Sequence, residues 1–180
     1  SNAFLKSILQ TNKKTSKDFP TMTSDFLSAL KDLPESSVLW IKYIEHLTKG
    51  IQDEEDIQLD DHLPRIEDAL KSSINESVGV WGSLTKLLMA AGRFAAAREC
   101  FQRAFRFTQK SEHRALWKYY VNLMKENRFI SDDMRIVIYQ QAILDDPKYA
   151  RDLFDLYVQA GNIDGAFRIL VDHSGLLKED

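Results

Sequence analysis

The residue types that most often do chemistry are few in this chain and widely spaced. The single cysteine, Cys100, adjoins Phe101 in a segment with apolar residues at helical spacing, so we expect an inert buried thiol rather than a nucleophile. Seven glycines include no phosphate-binding glycine motif. No pair of histidines has the spacing of a helical zinc-binding motif. The scattered histidines are His46, His62, His113 and His173. The sequence therefore predicts no catalytic residue, no metal ligand and no cofactor.

An acidic run, Asp-Glu-Glu-Asp at residues 53–56, has the ligand type that divalent cations prefer. It lacks the spaced oxygen ligands and the turn glycine of a calcium-binding loop, so we interpret it as a solvated acidic loop. The neighbouring pair Asp61-His62 precedes Leu63-Pro64. Because proline is well tolerated in the first turn of a helix, this pair indicates a helix start rather than a ligand or base pair.

The composition excludes several classes of protein. Of 180 residues, 44% are hydrophobic, which is enough to bury a core and too many for an intrinsically disordered chain. One cysteine excludes a disulfide framework and fits a reducing compartment. A net charge of −3 and a pI of about 5.8 argue against a domain whose whole surface is basic. No apolar run approaches the roughly 20 residues that span a bilayer, so no membrane contact is predicted.

The first residues do not contribute to the fold prediction. Ser1-Asn2-Ala3 (1–3) is typical of the remnant left by cleavage of an expression tag. The chain then begins at Phe4 without a methionine. We therefore expect residues 4–180 to form a single helical-repeat domain that is a fragment of a longer protein.

Apolar residues recur at spacings of three and four over most of the chain, and strand signals are absent. Ser36 or Ser37 is predicted to cap a helix that runs to Lys49 and ends at Gly50. Ser131 is predicted to begin another helix. The predicted helices span residues 4–12, 22–32, 37–49, 62–73, 77–91, 94–108, 113–126, 132–144, 148–160 and 163–172.

These helices repeat in pairs. Trp40, Trp81 and Trp117 are separated by 41 and 36 residues, and each opens a similar apolar pattern. In the second helix of each pair a bulky residue precedes a small one by three positions, which lets two helices approach closely. These pairs are Phe26 and Ala29, Ile66 and Ala69, Phe101 and Ala104, and Tyr139 and Ala142. Because no pair buries its apolar face alone, the pairs are expected to stack into a solenoid, and the aromatic side chains are expected to pack in its core.

The segment from Val80 to Ala104 resembles a tetratricopeptide repeat, with Trp81, Gly92 and Ala97 at matching positions. Segments 39–47 and 116–126 are similar to the HAT ("half-a-TPR") variant, as are residues 138–142 with Pro147. The resemblance covers about residues 22–172. It implies an all-α, right-handed α-solenoid of stacked antiparallel helix pairs, with about ten helices. The repeat units would be about 4–34, 35–75, 76–110, 111–146 and 147–173.

The chain departs from the HAT pattern in two places. The arginine that usually stands beside the second-helix alanine is present as Arg103, whereas Asp68 and Gln141 occupy the equivalent positions elsewhere. An acidic insertion from Ile51 to Asp61 (51–61) also predicts a long loop, either disordered or in contact with a partner.

The resemblance implies a non-catalytic protein-interaction scaffold, because HAT proteins are mostly nuclear subunits of eukaryotic RNA-processing and RNA-turnover complexes. A homodimer is compatible with it. One alternative is direct single-stranded RNA binding, since residues 153–170 resemble a pentatricopeptide repeat. Another is a cytosolic tetratricopeptide adaptor, which would place the protein in the cytoplasm.

Charge is distributed unevenly along the chain. Residues 51–80 carry nine acidic and two basic side chains, whereas residues 93–135 carry ten basic and five acidic ones. We interpret the basic part as a solvated face or as a contact for an acidic peptide segment or RNA. Lys118, Asn122 and Lys125 share one helix face, and Lys86 and Arg151 occupy equivalent places in the neighbouring first helices. These five residues are the candidate partner-binding site.

Overall fold

In a computed structural model, residues 18–127 and 130–175 are described, and their regular structure is helical throughout. This confirms the all-α prediction; the helix predicted at residues 4–12 lies outside the described residues. Three 3₁₀ turns, at Ser73–Glu76, Lys110–Glu112 and Pro147–Tyr149, precede α4, α6 and α8. The α-helices of the described ranges are α1 (Phe19–Asp32), α2 (Ser37–Gln52), α3 (Leu59–Ala69), α4 (Val78–Ala90), α5 (Phe94–Phe107), α6 (His113–Glu126), α7 (Asp132–Asp145), α8 (Ala150–Gln159) and α9 (Ile163–Asp172).

Side-chain caps begin three of these helices. The Ser36 hydroxyl accepts a hydrogen bond from the Leu39 amide at 3.4 Å, and the Ser131 hydroxyl accepts one from the Met134 amide at the same distance. Each cap satisfies an amide that would otherwise have no partner within the helix. The helix starts predicted at Ser36 and Ser131 are therefore confirmed.

Two glycines end α4 and α8 by the same motif. After α4, Gly92 has φ +71°, its amide donates to the carbonyl of Met89 at 3.0 Å, and the Arg93 amide donates to the carbonyl of Leu88 at 2.8 Å. Gly161, with φ +69°, makes the same pair of bonds after α8. This is the Schellman motif, in which a residue in the left-handed region satisfies the last carbonyls of the helix.

The end of α2 was predicted wrongly. The helix continues past Gly50 to Gln52, and the same motif is completed by Glu54 with φ 59°, whose neighbour Glu55 donates to the carbonyl of Gly50 at 2.9 Å. Gly50 is buried and serves close packing instead. A Cβ atom there would overlap the Phe19 ring and lie 2.5 Å from Cδ1 of Ile57.

The start of α3 also differs from the prediction. The helix begins at Leu59 rather than at residue 62, so Pro64 lies inside it and not in its first turn. The physical reason is burial: Leu59 is only 5% exposed, and Ile57 packs against the core just before it. The acidic insertion therefore forms a short connection over residues 53–58 rather than a long loop.

Helix α4 lies at the centre of the array. It contacts α2, α5 and α6, and nine of its 13 residues are buried, so it has almost no polar face. A helix that is apolar on nearly every side is stable only when neighbours cover it. The array therefore depends on α4 being covered by helices from both sides.

The tryptophans pack in the core, as predicted, and they also hold the connections between helices. Their indole rings are between 1% and 6% exposed. Trp40 donates from Nε1 to the carbonyl of Pro34 at 2.7 Å, and Trp81 donates to the carbonyl of Asn75 at 2.6 Å. Each thus ties its helix to the turn six residues earlier. Trp117 instead donates to the Asp145 carboxylate at the end of α7, at 2.6 Å.

The left-handed residue at the end of α2 leads to a stability prediction. We expect Glu54→Gly to raise the free energy of unfolding by about 0.5–1 kcal/mol, because glycine adopts positive φ without the steric cost that glutamate bears. Gly92→Ala should lower it by about 1 kcal/mol. That cost would be conformational alone, since a Cβ at Gly92 meets no atom within 4 Å.

Urea denaturation followed by circular dichroism measures both changes. Glu55→Gly is the matched control, since Glu55 does not have positive φ. An equal gain from Glu55→Gly would contradict the explanation, because it could not come from relief at the left-handed position.

Candidate protein-binding surface

Cys100 is a structural residue, as predicted. Its side chain is 4% exposed, and the Thr85 hydroxyl donates to Sγ at 3.5 Å. Burial raises the pKa of the thiol to about 12. Because the thiolate is the nucleophilic form, this cysteine is unreactive in the folded protein at neutral pH.

Two histidines are used in helix packing. The His46 ring stacks on Phe19 with centroids 4.1 Å apart, and its Nε2 lies 2.9 Å from the Thr23 hydroxyl. His62 Nδ1 lies 2.7 Å from the hydroxyl of Tyr43. Burial is the main cause that lowers the pKa of both imidazoles. Within residues 18–127 and 130–175, no three histidine, cysteine, aspartate or glutamate side chains are grouped so that they could hold a metal ion.

The five residues predicted to bind a partner lie on three successive first helices. Lys86 is on α4, Lys118, Asn122 and Lys125 are on α6, and Arg151 is in the first turn of α8. All five side chains are exposed, and the three on α6 share one face, at spacings of four and three residues. Helix α4 contacts α6, so Lys86 lies on a helix adjacent to the one that carries Lys118, Asn122 and Lys125.

Two of these cations already have an acidic partner. Lys125 Nζ lies 3.2 Å from an oxygen of Asp152 on α8, and Arg151 Nε lies 3.9 Å from Asp155 one turn later. In the described part of the chain, Lys86 and Lys118 form no ion pair. Among the five candidate residues, Lys86 on α4 and Lys118 on α6 therefore carry the positive charge that is not already paired.

Some charges of the acidic and basic segments form ion pairs with each other within the molecule. Arg93 Nη1 lies 2.7 Å from Asp60 in the first turn of α3. Arg103 on α5 forms two hydrogen bonds with the Glu67 carboxylate on α3, at 3.0 and 2.8 Å. The Arg103 guanidinium also lies over the Trp81 ring, 5.4 Å from its centroid. Sequence reasoning missed these pairs because their partners are 33 and 36 residues apart.

Sequence reasoning also missed a groove at the ends of three first helices. We call it the helix-end groove; it has a volume of about 490 Å³. Phe94, which the apolar pattern placed among core positions, is 41% exposed and lines it. The sequence signal for this groove was the position of Phe94, two residues after Gly92, which ends α4. The groove is lined by Gln52, Lys86, Met89, Ala90, Gly92, Phe94, Leu123, Glu126 and Asn127.

No helix in the described ranges is both long and apolar enough to cross a bilayer.

Comparison with known proteins connects this geometry to a family. Residues 5–148 match the model of the pre-mRNA-splicing factor Syf1/CNRKL1 N-terminal HAT repeat. The chain is also similar to the pre-mRNA-splicing factor syf1 of Emericella nidulans, with 22% identity over 143 residues. That alignment covers 78% of this chain and 16% of the relative, so the chain spans about a sixth of that protein's length.

The partly buried histidines His46 and His62 predict a pH dependence of stability. Their pKa values in the folded protein lie below the unfolded value of about 6.5. As the pH falls, the unfolded chain therefore binds more protons than the folded protein, which favours unfolding. We expect the free energy of unfolding to fall as the pH is lowered from about 7.5 to about 5.5. Urea denaturation across this range is the measurement. The double variant His46→Gln, His62→Gln should show a smaller slope, and an unchanged slope would contradict the explanation.

The Arg103–Glu67 pair predicts a measurable coupling between α3 and α5. A double-mutant cycle with Arg103→Ala and Glu67→Ala should give a coupling of about 0.5–1 kcal/mol, because the pair is bidentate but partly exposed to solvent. The exposed pair Lys71–Asp68, at 2.7 Å, is the matched control and should show no measurable coupling. Equal coupling in the two cycles would mean that the bidentate geometry and the contact with Trp81 add nothing.

Proposed function

Since the chain belongs to the HAT-repeat family of the Syf1/CNRKL1 N-terminus, we propose that it is a non-catalytic protein-interaction scaffold. In this proposal it is a subunit of a eukaryotic nuclear RNA-processing assembly. The observation that carries the proposal is the family match over residues 5–148. That range includes α2, α4 and α6, and with them most of the candidate partner-binding surface.

The geometry supports a scaffold because the aromatic and apolar residues that define the repeat are buried. What the first helices offer to solvent is a face of lysine and amide side chains. Lys118 and Asn122 lie one turn apart on α6, and both can donate hydrogen bonds. An acidic peptide segment matches this chemistry, since its carboxylates can accept from both groups. Lys125 and Arg151 would extend the contact if carboxylates of the partner replaced Asp152 and Asp155 in their ion pairs.

The positions of the tryptophans favour a protein partner over RNA, since single-stranded RNA is often held by stacking of its bases on aromatic side chains. The tryptophans lie in the core and cannot serve as base-stacking platforms.

Charge reversal on α6 tests the proposal. We expect Lys118→Glu, Lys125→Glu to reduce recovery of specific nuclear partners at least fivefold in a pulldown from nuclear extract, quantified by mass spectrometry. The cause would be repulsion between the new carboxylates and an acidic segment. Lys71→Glu, an exposed reversal at the end of α3, is the matched control and should leave recovery unchanged.

Partner recovery that is unchanged by the α6 reversals would exclude this surface. Tight binding of single-stranded RNA at low salt, lost steeply at physiological salt and abolished by the same reversals, would replace the scaffold proposal with direct RNA binding.

A further inference from the structure

The helix-end groove has an apolar floor between three helices. Met89 on α4 and Leu123 on α6 are 8% and 9% exposed and form part of this floor. The half-exposed ring of Phe94, in the first turn of α5, forms a side. A phenylalanine exposed beside a concave apolar surface is a typical anchor for a docked side chain.

The charges around the groove are mainly negative. Gln52, Ala90 and Glu126 line it and are the last residues of α2, α4 and α6, so three helix carboxyl ends adjoin there. Each such end carries a partial negative charge. Glu126 adds a full negative charge at the rim, and four exposed carboxylates follow Gln52 directly, at residues 53–56. The turn completed by Glu54 brings the chain back against the end of α2.

Few cations offset this negative charge. Arg93, beside the groove residue Gly92, is held by Asp60 at 2.7 Å. Lys125 and Arg135 also lie near this edge, where Arg135 donates to the carbonyl of Asn127, but they are paired with Asp152 and Asp132. Among the described residues at this edge, the cations without an ion pair are Lys49 and Lys86, against five carboxylates. The edge of the array that holds the groove is therefore acidic, whereas the exposed face of α6 is basic.

We propose that the helix-end groove binds a basic linear peptide segment, which inserts an apolar side chain against Phe94 and places lysine or arginine beside the acidic rim. The inference deepens the proposed scaffold function and rests on it. It gives the protein a second docking site with the opposite charge preference to the α6 face. An acidic segment on α6 and a basic segment in the groove could be held together.

The test is a random peptide library displayed on phage and selected on the wild-type protein, Phe94→Ala and Glu126→Lys in parallel. We expect the wild type to enrich peptides with net positive charge and at least one large apolar residue. Fluorescence anisotropy with the most enriched peptide should show affinity reduced about fivefold by Phe94→Ala and about fivefold by Glu126→Lys. Glu126 is exposed at a helix carboxyl end, where lysine is favourable, so we expect this variant to retain the fold.

Lys86→Glu separates this proposal from the α6 surface. This variant should strengthen binding of the selected peptide in the groove, whereas it should weaken binding of an acidic partner to the α6 face. Enrichment of acidic peptides, equal affinity for wild type and Phe94→Ala, or no enrichment above the variants would each overturn the groove proposal. Any of these results, together with an intact effect of the double variant Lys118→Glu, Lys125→Glu in the nuclear pulldown, would leave the scaffold proposal standing.

Discussion

The rest of the array depends on the contacts of Trp81. Its ring is 1% exposed on α4, its Nε1 holds the turn at Asn75, and the Arg103 guanidinium covers it from α5. Phe107 stacks on it with centroids 5.9 Å apart. One side chain therefore joins α4 to the turn before it and to the helix after it. Because α4 has almost no polar face, these neighbours must be present for it to exist as a helix in water.

Charge has two separate uses in this chain. Pairs such as Arg103–Glu67 and Lys125–Asp152 join helices of successive pairs, so part of the apparent polarity of the sequence is internal. Other charges remain exposed, among them Lys118 on α6 and the carboxylates of residues 53–56 after α2. A near-neutral total charge therefore conceals an uneven distribution of charge over the surface.

The all-α fold, the two serine caps and the buried tryptophans could be predicted from the sequence, because they follow from local spacing and side-chain chemistry. The carboxyl end of α2 and the start of α3 could not. At Gly50 the approach of Phe19 determines the role of the glycine, and at Leu59 burial extends the helix beyond its local signals. The candidate residues on α6 could be placed on one face from their spacing alone. Their ion pairs and the exposed Phe94 depend on contacts between helices that are distant in sequence.

The sequence separation of the contacts between repeats has a consequence for cooperativity. Arg93–Asp60, Arg103–Glu67, Trp117–Asp145 and Lys125–Asp152 join residues 33, 36, 28 and 27 positions apart, about one repeat in each case. In an array bound only to nearest neighbours, order spreads from one helix pair to the next. Helix α4, in contact with both α2 and α6, connects the amino-terminal and carboxyl-terminal pairs of the array. A defect at this link would let the amino-terminal and carboxyl-terminal pairs melt as independent units.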